Sequence, residues 1–131
     1  MSAEKRPHVV RRGDVFDARL DPTEGSEQGG TRPVIVVSRD AINQASGVIL
    51  VMPCTSYRGQ RIYPSQALLP APDGGLAVDS LAMAEQTRSL SKSRLIRRRG
   101  RLSDAGLREA ERAVLIALEL DQATLARRSR S

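Results

Sequence analysis

Arg32, Thr55 and the run Glu85-Gln86-Thr87-Arg88 are the residues of this chain whose types and spacing best suit chemistry. A polar loop, Gly25-Ser26-Glu27-Gln28-Gly29-Gly30, leads to Arg32, and a β-branched run, Val34-Ile35-Val36-Val37, follows it. A rigid strand behind and an adaptable loop ahead would hold a guanidinium where it can meet a phosphate. Gly29 and Gly30 can take φ > 0, so the loop can turn sharply or approach a ligand closely. Thr55 comes after another apolar run, Val48 to Met52. If the strands at Arg32 and Thr55 pair antiparallel, the two residues lie near one end of a sheet. The segment Glu85 to Arg88 could reach that end too. Such a set can run a reaction whose nucleophile arrives with the substrate: attack of a ribose 2′-OH on its own 3′-phosphate. The protein then has to hold the groups in line and stabilise charge growing on the phosphorus oxygens. Arg32 could supply that stabilisation and a proton for the leaving 5′-oxygen, and Thr55 a hydrogen bond to a phosphate oxygen. Glu27 or Glu85 could act as base if burial raised its pKa. Arginine is a poor base, because its pKa lies above about 12.

Each of these residues also has a blander reading. Arg32 also reads as an ordinary surface arginine beside a hairpin loop, and Thr55 as a residue that satisfies a backbone group after a strand. Glu85 also reads as an ion-pair partner of Arg88, and Gln86 as a cap on a sheet edge. The run Lys92 to Arg101 carries six cations and no acid. Such a run is usually a solvated face, but it also suits an RNA backbone or an acidic partner.

Other chemistries lack their residues. The glycine-rich stretch is not followed by the Gly-Lys-Ser/Thr of a phosphate-binding loop. No Cys/His cluster is spaced for zinc, and no cofactor motif is present. A Ser-His-Asp arrangement would need His8, the single histidine, which sits in the polar N-terminal segment. Cys54 is the single cysteine, lies in an apolar run and is expected to pack as a small hydrophobe. The formal charge of +6 favours a polyanionic partner, nucleic acid above all. Phe16, Tyr57 and Tyr63 are the whole aromatic set, which argues against a platform that stacks single-stranded bases. No apolar stretch is long enough to cross a membrane, and a cytoplasmic location is expected.

The elements that must position these residues are short. Residues 1–10 are expected to form a flexible tail, 11–120 a single domain, and 121–131 a basic, frayed tail. Alternation from Val15 to Leu20 predicts a first strand, and a second is expected from Pro33 to Ser38. Pro33, lacking an N–H, should be its first residue. Arg39 to Ala45 has room for one helical turn. Val48 to Met52, apolar on both faces, reads as a central strand closed by Pro53 to Ser56. Further strands are expected over 65–69, 77–85 and 97–102, with a helical turn over 91–95. Ser103 suits a helix N-cap. Leu107, Ala110, Val114 and Leu118, thickened by Leu115, predict a helix to about Leu120 that lays this stripe on the sheet. The pattern gives a mainly β, α+β chain: a small antiparallel sheet or barrel with a C-terminal helix.

Taken together, these stretches resemble the MazF/PemK family of bacterial toxin endoribonucleases. The resemblance rests on Arg12-Gly13-Asp14-Val15, Asp21-Pro22, Gly25 to Gly30, Arg32-Pro33-Val34, Pro53-Cys54-Thr55, Gly75-Leu76, Asp79-Ser80 and Glu85 to Arg88. Arg94-Leu95, Gly100 and Leu102-Ser103 continue it, in family order from Arg11 to Leu120. It implies an SH3-like antiparallel β-barrel with a C-terminal helix, packed as a homodimer. It also implies cofactor-free and metal-independent cleavage of single-stranded RNA, leaving a 2′,3′-cyclic phosphate and a 5′-hydroxyl. The family's catalytic Arg and Thr fall on Arg32 and Thr55, and Glu85 is the carboxylate kept open as base. Some relatives use an Arg and an Asp in the later strand. Those positions are Met83 and Glu85 here, so only the acid survives. Ser26, Glu27, Gln28 and Gln86, with Gly29 and Arg88, are the candidate RNA contacts. The implied partner is a MazE-like antitoxin with a flexible, often acidic tail. Two rivals share the barrel: a CcdB-like toxin that acts by binding, although those depend on a C-terminal Trp that is lacking here, and a non-catalytic RNA-binding barrel.

Overall fold

The computed structural model describes residues 9–120 and 122–129. The elements in order are β1 (Asp14–Arg19), β2 (Thr31–Val36), α1 (Asp40–Ala45), β3 (Val48–Ser56), β4 (Gln66–Leu69) and β5 (Ser80–Met83). Then follow β6 (Arg88–Ser91), β7 (Leu95–Arg101), α2 (Asp104–Leu118) and α3 (Gln122–Ser129). Short 3-10 turns lie at Asp73–Gly75, Ala84–Gln86 and Lys92–Arg94.

All described strand pairs are antiparallel, in the order β4-β5-β3-β2-β1-β7, with β6 added to β3. The expected architecture, an antiparallel sheet with a C-terminal helix, is present. The end strands β4 and β7 are not paired with each other among the described residues, so the sheet is not a closed barrel.

Alternation along the strands sends apolar side chains to two cores. Val15, Ile35 and Met52 share one core with Ala110 and Ala113 of α2. Phe16, Val34, Val36 and Val51 share the other with Leu90 and Leu95. A sheet buried on both faces explains the near-continuous apolar runs of β2 and β3. Val48 and Leu50, at the start of β3, remain exposed.

Several boundaries differ from the expectations. Pro33 is the third residue of β2 rather than its first. It stands opposite Asp17 of β1, and the β2–β3 ladder begins only at Val34. Its missing N–H therefore falls where one neighbour strand has departed. Thr55 does not follow β3 but lies within it, because the second half of the strand pairs with β5. The strand expected over 77–85 is shorter, and Glu85 sits in a 3-10 turn.

Ser103 caps α2 as expected, its Oγ accepting from the Gly106 amide at 3.0 Å. The buried face of α2 is made by Gly106, Ala110 and Ala113, with Leu107 and Val114 packed beside them. Leu115 and Leu118, placed in the buried stripe by spacing alone, are 49% and 58% exposed. The sheet does not extend beneath the last turn of the helix. Arg112 ties α2 to the edge of the sheet, donating to the carbonyls of Pro64 and Gln66 at 3.0 Å each.

The basic segment after Leu120 holds α3 rather than a frayed chain. At the other end, Val10 was grouped with the tail but is buried in the second core. His8 and the rest of residues 1–8 lie outside the described residues.

Candidate active site

The site arises where the β2–β3 ladder ends. Residues Val51, Met52 and Pro53 pair with β2 on one edge of β3, and on the opposite edge Cys54, Thr55 and Ser56 pair with β5. Continuing the β2–β3 register two residues beyond the Val34–Pro53 pair brings Arg32 opposite Thr55. The strands have parted there, and the gap between them is a pocket of about 230 Å³ lined by Arg32, Thr55, Ser56, Ser80 and Arg99 among others.

Arg32 Nη1 donates to Thr55 Oγ1 at 3.4 Å, and its Nε donates to the Gly29 carbonyl at 2.8 Å. The first contact is long; the second fixes the guanidinium plane. Both residues are half-buried, with protein behind and solvent in front.

The loop that supplies the Gly29 carbonyl depends on its two glycines for different reasons. Gly30 has φ +72°, which side-chain-bearing residues rarely adopt. At Gly29 a Cβ would lie 2.6 Å from Asp21 Oδ1 and 2.8 Å from Thr23 Oγ1. Only Gly30 uses the left-handed freedom that the sequence offered to both; Gly29 is needed for close approach.

A second cleft of about 370 Å³ reaches Pro53 of β3. Ser26, Glu27, Gln28, Glu85, Gln86 and Arg88 line it. The structure thus gathers into one cleft residues more than fifty positions apart in the chain. Gln86 Oε1 accepts from the Gln28 amide at 2.8 Å, and its Nε2 donates to the Ser26 carbonyl at 3.4 Å. Gln86 therefore clamps the glycine-rich loop as well as lining the cleft. Arg88 Nη1 donates to the Leu20 carbonyl at 3.0 Å, at the root of the same loop. Gln28 Oε1 is buried without a hydrogen-bond partner, an acceptor left free in the cleft wall.

Glu85 is not brought to the Arg32–Thr55 pair. It lines the second cleft, where its carboxylate accepts from Ser65 Oγ at 3.2 Å and Gln66 Nε2 at 2.8 Å. It does not pair with Arg88, whose described bond goes to Leu20. Glu27 Oε1 accepts from the Glu24 amide at 2.7 Å, which closes the loop on itself.

Cys54 adjoins Thr55 but is fully buried, and burial pushes its thiol up to about 12, so no thiolate is available as a nucleophile. Among the described residues no group of three or more His, Cys, Asp and Glu side chains could hold a metal ion. No helix among them is long and apolar enough to cross a membrane.

The basic run from Lys92 to Arg101 is more structural than a solvated face. Arg97 and Arg99 both reach Asp17, and Arg98 and Arg101 both reach Asp14, fastening β7 to β1. Arg94 donates to the carbonyls of Arg19 and Asp21. The sequence does not single out Arg99 within this run, although it borders the pocket that also touches Arg32 and Thr55, as do Ser56 and Ser80. Nothing in a uniformly basic run marks the one member that faces inward.

Known proteins carry the same architecture. A family model described as "PemK-like, MazF-like toxin of type II toxin-antitoxin system" matches residues 11–118. Endoribonuclease MazF9 of Mycobacterium tuberculosis (strain ATCC 25618 / H37Rv) is 43% identical over 117 residues, covering 86% of this chain and 98% of the relative. The crystal structure of MazF (Form-I) from Deinococcus radiodurans matches with a TM-score of 0.73 at 30% identity, covering 86% of this chain and 99% of that one. A MazE–MazF crystal structure (Form-III) from the same organism matches with a TM-score of 0.68 at 28% identity, covering 87% and 100%. By family model, sequence and structure alike, this chain belongs to the PemK-like, MazF-like toxins of type II toxin–antitoxin systems.

Proposed function

We propose that this toxin is an endoribonuclease that cuts single-stranded RNA at the Arg32–Thr55 pair. The observation that carries the reading is the guanidinium held within 3.4 Å of a hydroxyl at the mouth of an open pocket, in a relative of endoribonuclease MazF9. The substrate brings its own nucleophile. The 2′-oxygen bonds to phosphorus as it loses its proton, and the P–O5′ bond breaks with its electron pair going to O5′. That oxygen takes up a proton, leaving a 2′,3′-cyclic phosphate and a 5′-hydroxyl. Arg32 meets the charge on the non-bridging oxygens and gives a proton to O5′, and Thr55 donates to a phosphate oxygen. The proton lost by the 2′-OH goes to a carboxylate or to water in the open cleft. No cofactor or metal takes part in this scheme.

The second cleft holds the bases that flank the cut. Ser26, Glu27, Gln28 and Gln86 present donors and acceptors there, Gly29 lets the backbone come close, and Arg88 supplies charge. A MazE-like antitoxin neutralises the toxin; an acidic segment lying over these clefts would exclude RNA and order as it binds. The active assembly is a homodimer in the cytoplasm, with light scattering at twice the chain mass as its check.

The test is incubation with a long unstructured RNA in the presence of EDTA, with end-group analysis of the products. Cyclic phosphate and 5′-hydroxyl ends are expected. Arg32→Ala should abolish cleavage with an unchanged circular dichroism spectrum, and Thr55→Ala should slow it strongly but less completely. Retarded but uncut RNA would favour a binding barrel. Full activity in folded Arg32→Ala would end the assignment.

A further inference from the structure

The guanidinium of Arg32 takes its orientation from the loop before it more than from the strand beside it. Its bond to Thr55 Oγ1 is long, at 3.4 Å, whereas Nε donates to the Gly29 carbonyl at 2.8 Å. That carbonyl belongs to the peptide between two glycines, where no side chain restricts rotation, and Gly30 already stands at φ +72°. Such a peptide keeps one orientation only if its neighbours are held. On one side, the Gly30 carbonyl accepts from the Leu20 amide at 2.8 Å. On the other, the Gln28 amide donates to Gln86 Oε1 at 2.8 Å, and Gln86 Nε2 donates to the Ser26 carbonyl at 3.4 Å.

Among the described hydrogen bonds, only these two from Gln86 tie residues 22–28 to the rest of the fold. The bonds between Glu24 and Glu27 stay inside the segment. Gln86 itself stands on a firm base. Its 3-10 turn begins at Ala84, which is buried in the first core and whose amide donates to the Ser65 carbonyl at 3.0 Å. Thr87 closes the turn, donating to the Ala84 carbonyl from its amide at 3.1 Å and from Oγ1 at 2.8 Å. Both ends of the Gln86 amide are thus engaged on the loop before any RNA arrives.

We propose that Gln86 is a positioning residue for the cleavage step: it pins the glycine-rich loop, the pinned loop presents the Gly29 carbonyl, and that carbonyl aims the Arg32 guanidinium. The inference rests on the endoribonuclease reading and adds to the base contact given to Gln86 there. Arg32 has to meet charge that appears only as the 2′-oxygen attacks, so an error in its aim costs rate more than substrate affinity. Loss of a base contact does the reverse, weakening the bound substrate and the transition state alike.

The experiment combines single-turnover and steady-state cleavage of an RNA oligonucleotide with hydrogen exchange of the Arg32 Nε–H, followed by heteronuclear NMR and assigned from its loss in Arg32→Lys. Gln86→Met keeps the length of the side chain and removes both of its hydrogen bonds. It should lower kcat about 10- to 100-fold with KM changed less than about threefold, the cost of displacing a reacting group by up to about 1 Å. Exchange of the Arg32 Nε–H should become about tenfold faster as the loop opens. Gln86→Glu keeps an acceptor for the Gln28 amide and adds a negative charge beside the RNA. Its kcat and Arg32 exchange should stay within about threefold of wild type while KM rises about tenfold. A raised KM with wild-type kcat in Gln86→Met, or a fall in kcat with Arg32 exchange unchanged, overturns the proposal and leaves the endoribonuclease reading standing. So does an equal loss of kcat in Gln86→Glu. If Gln86→Met does not fold, Gln86→Ala takes its place with the same expected outcomes. A wild-type protein that cuts no RNA overturns the catalytic role of Gln86 along with the endoribonuclease reading.

Discussion

At the scale of single residues, position separates the two clefts by role. Arg32 has one donor on Thr55 and another on a loop carbonyl, so its orientation is set before substrate arrives. Preorganisation of this kind lowers the reorganisation needed when charge develops. Glu85 is held in the same manner by Ser65 and Gln66, but in the neighbouring cleft. A base must reach the proton it removes directly or through one water. Glu85→Gln is therefore expected to raise KM about three- to tenfold and to keep at least about a tenth of wild-type kcat. Pre-steady-state cleavage across pH 5 to 9 checks this. A fall of about a thousandfold in kcat, with loss of the rising limb of the pH profile, would make Glu85 the base after all.

At the scale of elements, the turn Asp73–Gly75 and the start of α2 form one joint. Asp73 accepts from the Ser103 amide and from Ser103 Oγ, at 2.7 Å each, while Ser103 Oγ accepts from the Gly106 amide. The same turn backs Arg99 through Gly75. Removing the Ser103 hydroxyl breaks the cap and one of the Asp73 bonds together. Ser103→Ala should cost about 1–2 kcal/mol. Thermal unfolding should move down by about 3–8 °C for a domain of this size. Calorimetry on the two proteins measures it, and a shift under 1 °C would show that the joint contributes little. Leu76, directly after this turn, lines the pocket that also borders Arg32 and Thr55, so the stability and the site of this chain meet near one short turn.

At the scale of the whole molecule, the surplus of basic residues is partly spent internally. Asp14 and Asp17 on β1 bind four arginines of β7, so the outermost ladder of the sheet is held by ion pairs as well as by backbone bonds. Burial alone would raise the Asp17 carboxyl, but hydrogen bonds and charge from Arg99 and Arg97 outweigh it and hold its pKa below the usual range. A carboxyl whose folded pKa lies below its unfolded value stabilises the fold above the unfolded value, near 3.9 for aspartate, at about neutral pH in full. That stabilisation is lost as the pH falls through the lower, folded value. The difference in Tm between wild type and Asp17→Asn should therefore be widest near pH 7 and close as the pH drops below about 4. Thermal scans at several pH values test it; a gap that stays constant to pH 2 would mean that Asp17 acts through packing rather than charge.

How far the amino-acid order alone reached is clearest from particular residues. The β-branched run after Arg32 announced a buried strand, Ser103 announced a helix start, and the spaced segments from Arg12 to Ser103 announced the family. These are local signals: a period, a cap and a series of short motifs, each written in neighbouring residues. Three things were decided only by the folded chain. Thr55 lies inside β3 because β5 pairs the strand on its other edge beyond the point where the β2 ladder ends, an event that no local pattern encodes. Glu85 is hydrogen-bonded by Ser65 and Gln66, some twenty residues earlier. Arg99 turns inward because a bulge interrupts the β1–β7 register and Asp17 captures its guanidinium more than eighty residues from its own place in the chain. Composition and periodicity mark the most strongly patterned strands and the start of α2. Which side chains share a pocket depends on strand register between distant segments, and register is a property of the assembled sheet.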